Sequence, residues 1–134
     1  MDAILRPDEQ EALEAAQISS IATLAELGST FTVLGVPNPR AGGPVLRSVA
    51  ECAADWAAGG GSERDQDGYH RGLAQAEDPD YQPELLFTPT RLTSSGYMLM
   101  DAVHRAAALF TKRTDKGATK LDLPVYVLPK PFPT

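Results

Sequence analysis

The chain has 134 residues, a length that suits one domain, covering 1–134, better than two independent ones. Its apolar share of 43% and charged share of 22% are ordinary for a globular protein and argue against wholesale disorder. No apolar stretch approaches the roughly 20 residues that cross a bilayer, and the first residues lack the pattern of a secretory signal. We therefore expect no membrane partner and a location in the cytoplasm or in a virion-type assembly.

Charge is unevenly distributed along the chain, whose formal net charge is −6. Residues 1–90 hold 15 acidic and 5 basic residues, whereas residues 91–134 hold 7 basic and 3 acidic residues. This imbalance is typical of a solvated surface or of a surface that meets a partner of opposite charge, including a second copy of the chain.

The first predicted helix runs from Pro7 to Gly28. Proline suits the first position of a helix and glycine its end, and an apolar face lies between them. Ser19 and Ser20 leave open a division into two shorter helices.

Residues 30–36 are β-branched and aromatic and predict a strand. A second helix is predicted to begin at Pro44 and to end at the glycines from Gly59. Cys52 and Trp56 fall on its apolar face, which predicts that both are core residues. A single cysteine cannot form an intramolecular disulfide, which fits a reducing compartment.

Residues 59–83 show no usable periodicity and hold six acidic residues, so we predict a long acidic loop. Structureless loops beyond roughly 12–15 residues are uncommon in compact domains and are often functional or bound to a partner.

The rest of the chain predicts two strands, a helix and a tail. Residues 84–88 predict a strand that ends near Pro89 or lies at a sheet edge. A third helix follows Ser95, although residues 97–100 could also be a strand. Residues 121–128 alternate with period 2 around a proline, which predicts an edge strand, and residues 129–134 favour an extended polyproline II tail.

These elements predict an α+β fold, with about three helices on a small, mostly antiparallel sheet, a long acidic loop and an extended C-terminal tail.

Three patterns in the sequence partly match known kinds of binding or catalytic site. Glu63, Asp65 and Asp67 resemble the first half of a calcium loop, but Ala74 stands where the bidentate glutamate belongs, so no metal site is predicted. The turn before the second helix could hold an anion on backbone amides, and its residues are Arg40, Gly42 and Gly43.

His70 and His104 have no sequence-local cysteine or carboxylate at metal-ligand spacing. No catalytic residue and no cofactor are predicted, and the acidic net charge disfavours nucleic-acid binding.

The sequence thus favours a non-enzymatic structural or interaction protein in a larger, homo-oligomeric assembly, for example a small virion connector or tail component. The interface candidates lie in the acidic loop and near the C-terminus: Asp65, Asp67, Tyr69, Arg71, Lys112, Lys116, Tyr126 and Phe132. The alternative is a small enzyme or ligand-binding domain with residues 59–83 as a lid and His70 or His104 as acid or base.

Overall fold

A computed structural model of the protein describes residues 17–33, 36–38, 43–91 and 93–128. These residues form four helices and six strands, an α+β fold, as predicted. In chain order the elements are β1 (Gln17–Thr23), α1 (Leu24–Gly28), β2 (Val36–Asn38), β3 (Gly43–Val45), α2 (Val49–Ala57), α3 (Glu63–Gln75), β4 (Leu85–Pro89), β5 (Tyr97–Asp101), α4 (Val103–Asp115) and β6 (Lys120–Val127).

The main sheet has four strands in the order β1-β6-β4-β5. β1 pairs with β6 and β4 pairs with β5 in antiparallel fashion, whereas β4 and β6 run parallel. β5 and α4 form the crossover that brings the chain back parallel to β4. Within the described residues β2 and β3 form a separate two-stranded sheet.

One face of the main sheet contributes to the hydrophobic core. Leu85 pairs with Val125, Phe87 pairs with Leu99, and all four side chains belong to the core. Paired residues point to the same side of a sheet, so this face packs against the apolar sides of the helices. Trp56 on α2 is 1% exposed in this core, which confirms its predicted role.

The first predicted helix is wrong over residues 17–23, which form β1. β1 pairs with β6 along its length, and this long-range pairing outweighs a local helical pattern that the low helix propensity of Ser19 and Ser20 already weakened. Gly28 ends a helix as predicted. The segment from Pro7 to residue 16 lies outside the described residues, as does the predicted tail 129–134.

The second helix begins at Val49, five residues after the predicted start. Pro44 pairs with Pro37 between β3 and β2 instead. Ser48 caps the helix: its hydroxyl accepts a hydrogen bond from the backbone N–H of Glu51 at 3.2 Å, and the Glu51 carboxylate accepts one from the N–H of Ser48 at 3.1 Å. This capping box satisfies two backbone donors and fixes the start.

The prediction of a loop over 59–83 is wrong for residues 63–75, which form α3. Ser62 caps α3 through a second capping box with Asp65. The buried face of α3 includes Gly72, where an added Cβ would lie only 2.7 Å from the Cβ of Ala108 on α4. Glycine at this contact lets the two helix backbones approach closely without a large apolar side chain between them. The sequence of α3 therefore shows little of the hydrophobic periodicity that predicts a helix.

Two strand predictions are confirmed, and residues 97–100 follow the strand alternative, so the third predicted helix begins at Val103 and not after Ser95. One predicted position in the sheet is wrong. Residues 85–89, 97–101 and 120–127 are strands. β6 lies between β1 and β4, not at an edge. Pro124 is tolerated because the pairing of β6 with β4 begins only at Val125. Pro124 faces no residue of β4, so the N–H group that proline lacks is not needed there. Residues 31 and 32 make only isolated bridges.

Candidate functional site

Three large apolar side chains are exposed at the first residue of β5 and in the segment 31–33 that runs beside it. Phe31 is 36% exposed, Val33 is 39% exposed and Tyr97 is 44% exposed. The backbone N–H of Leu99 donates to the carbonyl of Phe31 at 2.8 Å, and the N–H of Val33 donates to the carbonyl of Leu99 at 3.0 Å. These bonds hold residues 31–33 along the outer edge of β5. Phe31, Val33 and Tyr97 are called the apolar patch below.

A cavity of about 440 Å³, called the apolar cavity, opens beside the apolar patch. Phe31 and Tyr97 line it together with Phe87 and with Val125 and Val127 of β6. The one charged residue among its described lining residues is Glu26. Apolar surface next to a concave opening is typical of a place where another molecule docks.

Three hydroxyl groups in the lining of the apolar cavity form local hydrogen bonds. The hydroxyls of Ser29 and Thr30 donate to the carbonyl of Glu26, and the hydroxyl of Ser95 donates to the carbonyl of Tyr97. The cavity offers an occupant apolar side chains next to polar groups, which include Ser20 and the carboxylate of Glu26.

A second cavity, of about 590 Å³, lies at the other end of β6 and is called the basic cavity. Its described lining includes three basic residues, Arg113, Lys116 and Lys120, and one acidic residue, Asp80. The same face of β6 thus contributes to both cavities, because Leu121, Leu123, Val125 and Val127 alternate along the strand.

Arg113 is the buried basic residue of the basic cavity, with 8% exposure. Its guanidinium donates to three backbone carbonyls just after α3, those of Ala76 at 2.9 Å, Asp78 at 3.0 Å and Pro79 at 3.4 Å. These bonds hold the turn after α3 and satisfy carbonyls at its C-terminus.

His104 meets a carboxylate between three helices. Its Nε2 lies 2.8 Å from Oδ1 of Asp65, and its ring stacks on Trp56 with centroids 4.7 Å apart. An added Cβ at Gly68 would lie 2.9 Å from Cγ of His104, so this glycine makes room for the ring. The other carboxylate oxygen of Asp65 accepts from the N–H of Ser62.

The pKa of Asp65 follows from these contacts. Burial raises the pKa of this carboxyl, but the hydrogen bonds with His104 and Ser62 together lower it by more than burial raises it. The pKa of Asp65 therefore lies below its ordinary value. Neither the apolar nor the basic cavity is lined by Asp65 or His104 among the described residues. The pair joins α3 to α4 and lies outside the lining of both cavities.

His70, the other candidate for acid and base chemistry, also lies outside the lining of both cavities. His70 is exposed, and its Nε2 lies 3.1 Å from the side-chain oxygen of Gln66 on the preceding turn of α3. Residues 63–75, predicted as part of a lid, contribute to the lining of neither cavity in the described part of the chain. Tyr69 and Gly72 are buried instead, so α3 is part of the packed fold.

The predicted interface residues fall into different environments. Asp67, Arg71 and Lys116 are exposed, and Tyr126 is half-buried. Lys112 pairs with Glu77 within the chain. Phe132 lies outside the described residues.

Tyr69 differs from its prediction. It is 1% exposed, and its hydroxyl hydrogen-bonds the hydroxyl of Thr111 at 2.9 Å. It is therefore a core residue.

The predicted anion site lacks its expected geometry. Gly43 begins strand β3, and the helix that was to supply free amides begins at Val49 behind its own cap. Arg40 and Gly42 lie outside the described residues.

Glu63, Asp65 and Asp67 stand on helix α3 rather than on a calcium-binding loop. Throughout the described ranges, no group of three metal-ligating side chains converges, and no helix is long and apolar enough to cross a membrane.

Comparisons with known protein families, with curated proteins and with solved structures each found no match.

Sequence reasoning did not identify the apolar patch or the basic cavity as sites. The alternation of Phe31 and Val33 in a predicted strand was the available signal for the patch, since both side chains of such a pair face the same way. For the basic cavity, the spacing of Lys116 and Lys120 around Gly117 gave no indication that Arg113 is buried beside them.

Proposed function

We propose that this protein is a non-enzymatic interaction protein that works in a larger assembly with copies of itself. The apolar patch beside the apolar cavity carries the proposal. Large apolar side chains that stay exposed together next to a concave opening are typical of a surface that another protein covers.

The energetic gain from covering the patch is appreciable. Fully burying one large apolar side chain contributes about 1.5–3 kcal/mol, so covering the exposed fractions of these three contributes roughly 2–3 kcal/mol in all. A stable interface needs on the order of 1,000 Å² of buried surface, so polar surface around the patch must also take part.

Contact between two copies can be isologous. In a twofold dimer the same patch lies on both sides of the interface, and a single substitution changes both sides at once. We place this assembly in the cytoplasm or in a virion-type particle, which a free cysteine buried in the core supports.

Light scattering coupled to size exclusion, over a roughly hundredfold range of concentration, tests the proposal. We expect the wild-type chain to exceed the 14.3 kDa of one copy as concentration rises. The double variant Phe31→Ser/Tyr97→Ser is expected to stay monomeric, whereas the control Glu63→Ser/Arg64→Ser, two exposed positions on α3, is expected to associate like wild type.

Two outcomes contradict the proposal. One is a wild-type chain that remains a monomer at every concentration. The other is unchanged association of Phe31→Ser/Tyr97→Ser when circular dichroism shows that the variant is folded.

A further inference from the structure

We propose that the basic cavity is a binding site for a small organic anion, a phosphate or carboxylate group on an apolar body. Its described lining holds three cations and one carboxylate, and its volume of about 590 Å³ lies in the range of small-molecule sites, roughly 300–1,000 Å³. This inference does not depend on self-association.

Arg113 supplies a positive charge that the protein only partly compensates. It is 8% exposed and its hydrogen bonds go to neutral backbone carbonyls, and no described carboxylate lies within ion-pair distance of it. A buried charge is costly unless a partner offsets it. An anion in the cavity is such a partner, and the carbonyls hold the guanidinium in place for it.

Lys116 and Lys120 add two exposed positive charges to the lining of the cavity. Both are exposed, one directly after α4 and the other at the first residue of β6. Lys112, one turn earlier, already pairs with Glu77. Lys116 also helps to lower the pKa of the Glu77 carboxyl, but neither Lys116 nor Lys120 forms an ion pair with a described carboxylate, so both ammonium groups can contact an anion.

The apolar part of the cavity indicates what else the ligand carries. Leu109 is 1% exposed and Leu123 is 2% exposed, and both line the cavity with Leu121 and the ring of Tyr81. An inorganic anion would leave this surface in contact with water. A ligand with a ring or a short aliphatic chain covers this apolar surface, and removing the surface from water adds to the free energy of binding.

Calorimetry at fixed ionic strength tests this site with four probes: phenyl phosphate, benzoate, inorganic phosphate and phenol. We expect phenyl phosphate or benzoate to bind at least about tenfold more tightly than inorganic phosphate and than phenol, because only they combine charge with an apolar body. The order of phenyl phosphate and benzoate identifies the anionic group.

Paired variants locate the binding. Because Arg113 also holds the turn after α3, the lysines are the safer positions to change. Lys116→Gln/Lys120→Gln is expected to weaken binding of the preferred probe by about tenfold or more. The control Arg64→Gln/Arg71→Gln removes the same charge from α3, away from the cavity, and is expected to bind like wild type.

Three results would overturn the assignment. The first is no heat with any anion at millimolar concentration. The second is equal weakening by both double variants, which indicates general charge attraction. The third is loss of self-association in Lys116→Gln/Lys120→Gln without loss of probe binding, which makes the lysines part of a protein interface. Failure of the self-association proposal alone leaves the calorimetric result unchanged.

Discussion

The close approach of α3 and α4 at Gly72 predicts how much the substitution Gly72→Ala changes the free energy of unfolding. In Gly72→Ala the new methyl group lies 2.7 Å from the Cβ of Ala108, whereas carbon atoms in contact prefer roughly 3.5–4.0 Å. Both atoms are fixed to helix backbones, so the helices must move apart. Overpacking of this kind costs about 1–3 kcal/mol.

Helix propensity opposes this cost. Alanine is better than glycine in a helix interior by about 1 kcal/mol. We therefore expect Gly72→Ala to lower the free energy of unfolding by about 0–2 kcal/mol, or up to roughly 8 °C in Tm for a domain of this size. Urea denaturation followed by circular dichroism measures the change.

A double-mutant cycle separates the two effects. Ala108→Gly alone is expected to cost about 1 kcal/mol through propensity, but the combination with Gly72→Ala exchanges the methyl group between facing positions and should lie within about 1 kcal/mol of wild type. Ala74→Gly, at an exposed position of α3, provides the control, with a cost of about 1 kcal/mol and no coupling to Ala108→Gly. A Gly72→Ala variant more stable than wild type would refute the close packing of α3 on α4.

Two further predictions concern titration and thiol reactivity. The pKa of Asp65 is lowered by folding, so its contribution to stability is present above the unfolded pKa of about 3.9 and is lost as pH falls through the lower folded pKa. Asp65→Asn is expected to cost about 1–2 kcal/mol at pH 7, and the difference from wild type in urea unfolding should shrink below pH about 4; a constant difference contradicts this role. Burial raises the pKa of the Cys52 thiol, so an aromatic disulfide reagent at pH 8 should label Cys52 only as fast as the protein unfolds. Immediate labelling in urea is the control. Fast labelling of the native protein would contradict the burial of Cys52.

Elements with local signals were predictable from the sequence. The alternation from Leu121 to Val127 and the run that ends at Pro89 are strands, because β-branched and apolar residues at period 2 suit a sheet wherever it forms. Cys52 and Trp56 share one face of a helical segment, and both are buried as expected.

The features that were not predicted depend on distant residues. α3 buries glycine against α4, so its apolar face is nearly absent from the sequence, although Ser62 and Asp65 carried the spacing of a capping box. β1 is a strand because β6 pairs with it. The apolar patch exists because residues 31–33 bond to Leu99, a contact that no local pattern specifies.

The place of β6 in the sheet has a consequence for how the chain folds. β6 is the last strand in the described part of the chain, yet it lies between β1 and β4, and Gln17 pairs with Val127. During synthesis β1 and the β4–β5 pair therefore each keep one edge unpaired until β6, the strand that joins them, has left the ribosome. Contacts of such long sequence separation form slowly, because a large loop must close before they contribute. Loss of the residues after about 119 would leave β1 without a partner strand and β4–β5 as an isolated two-stranded pair, in place of a smaller version of the same fold.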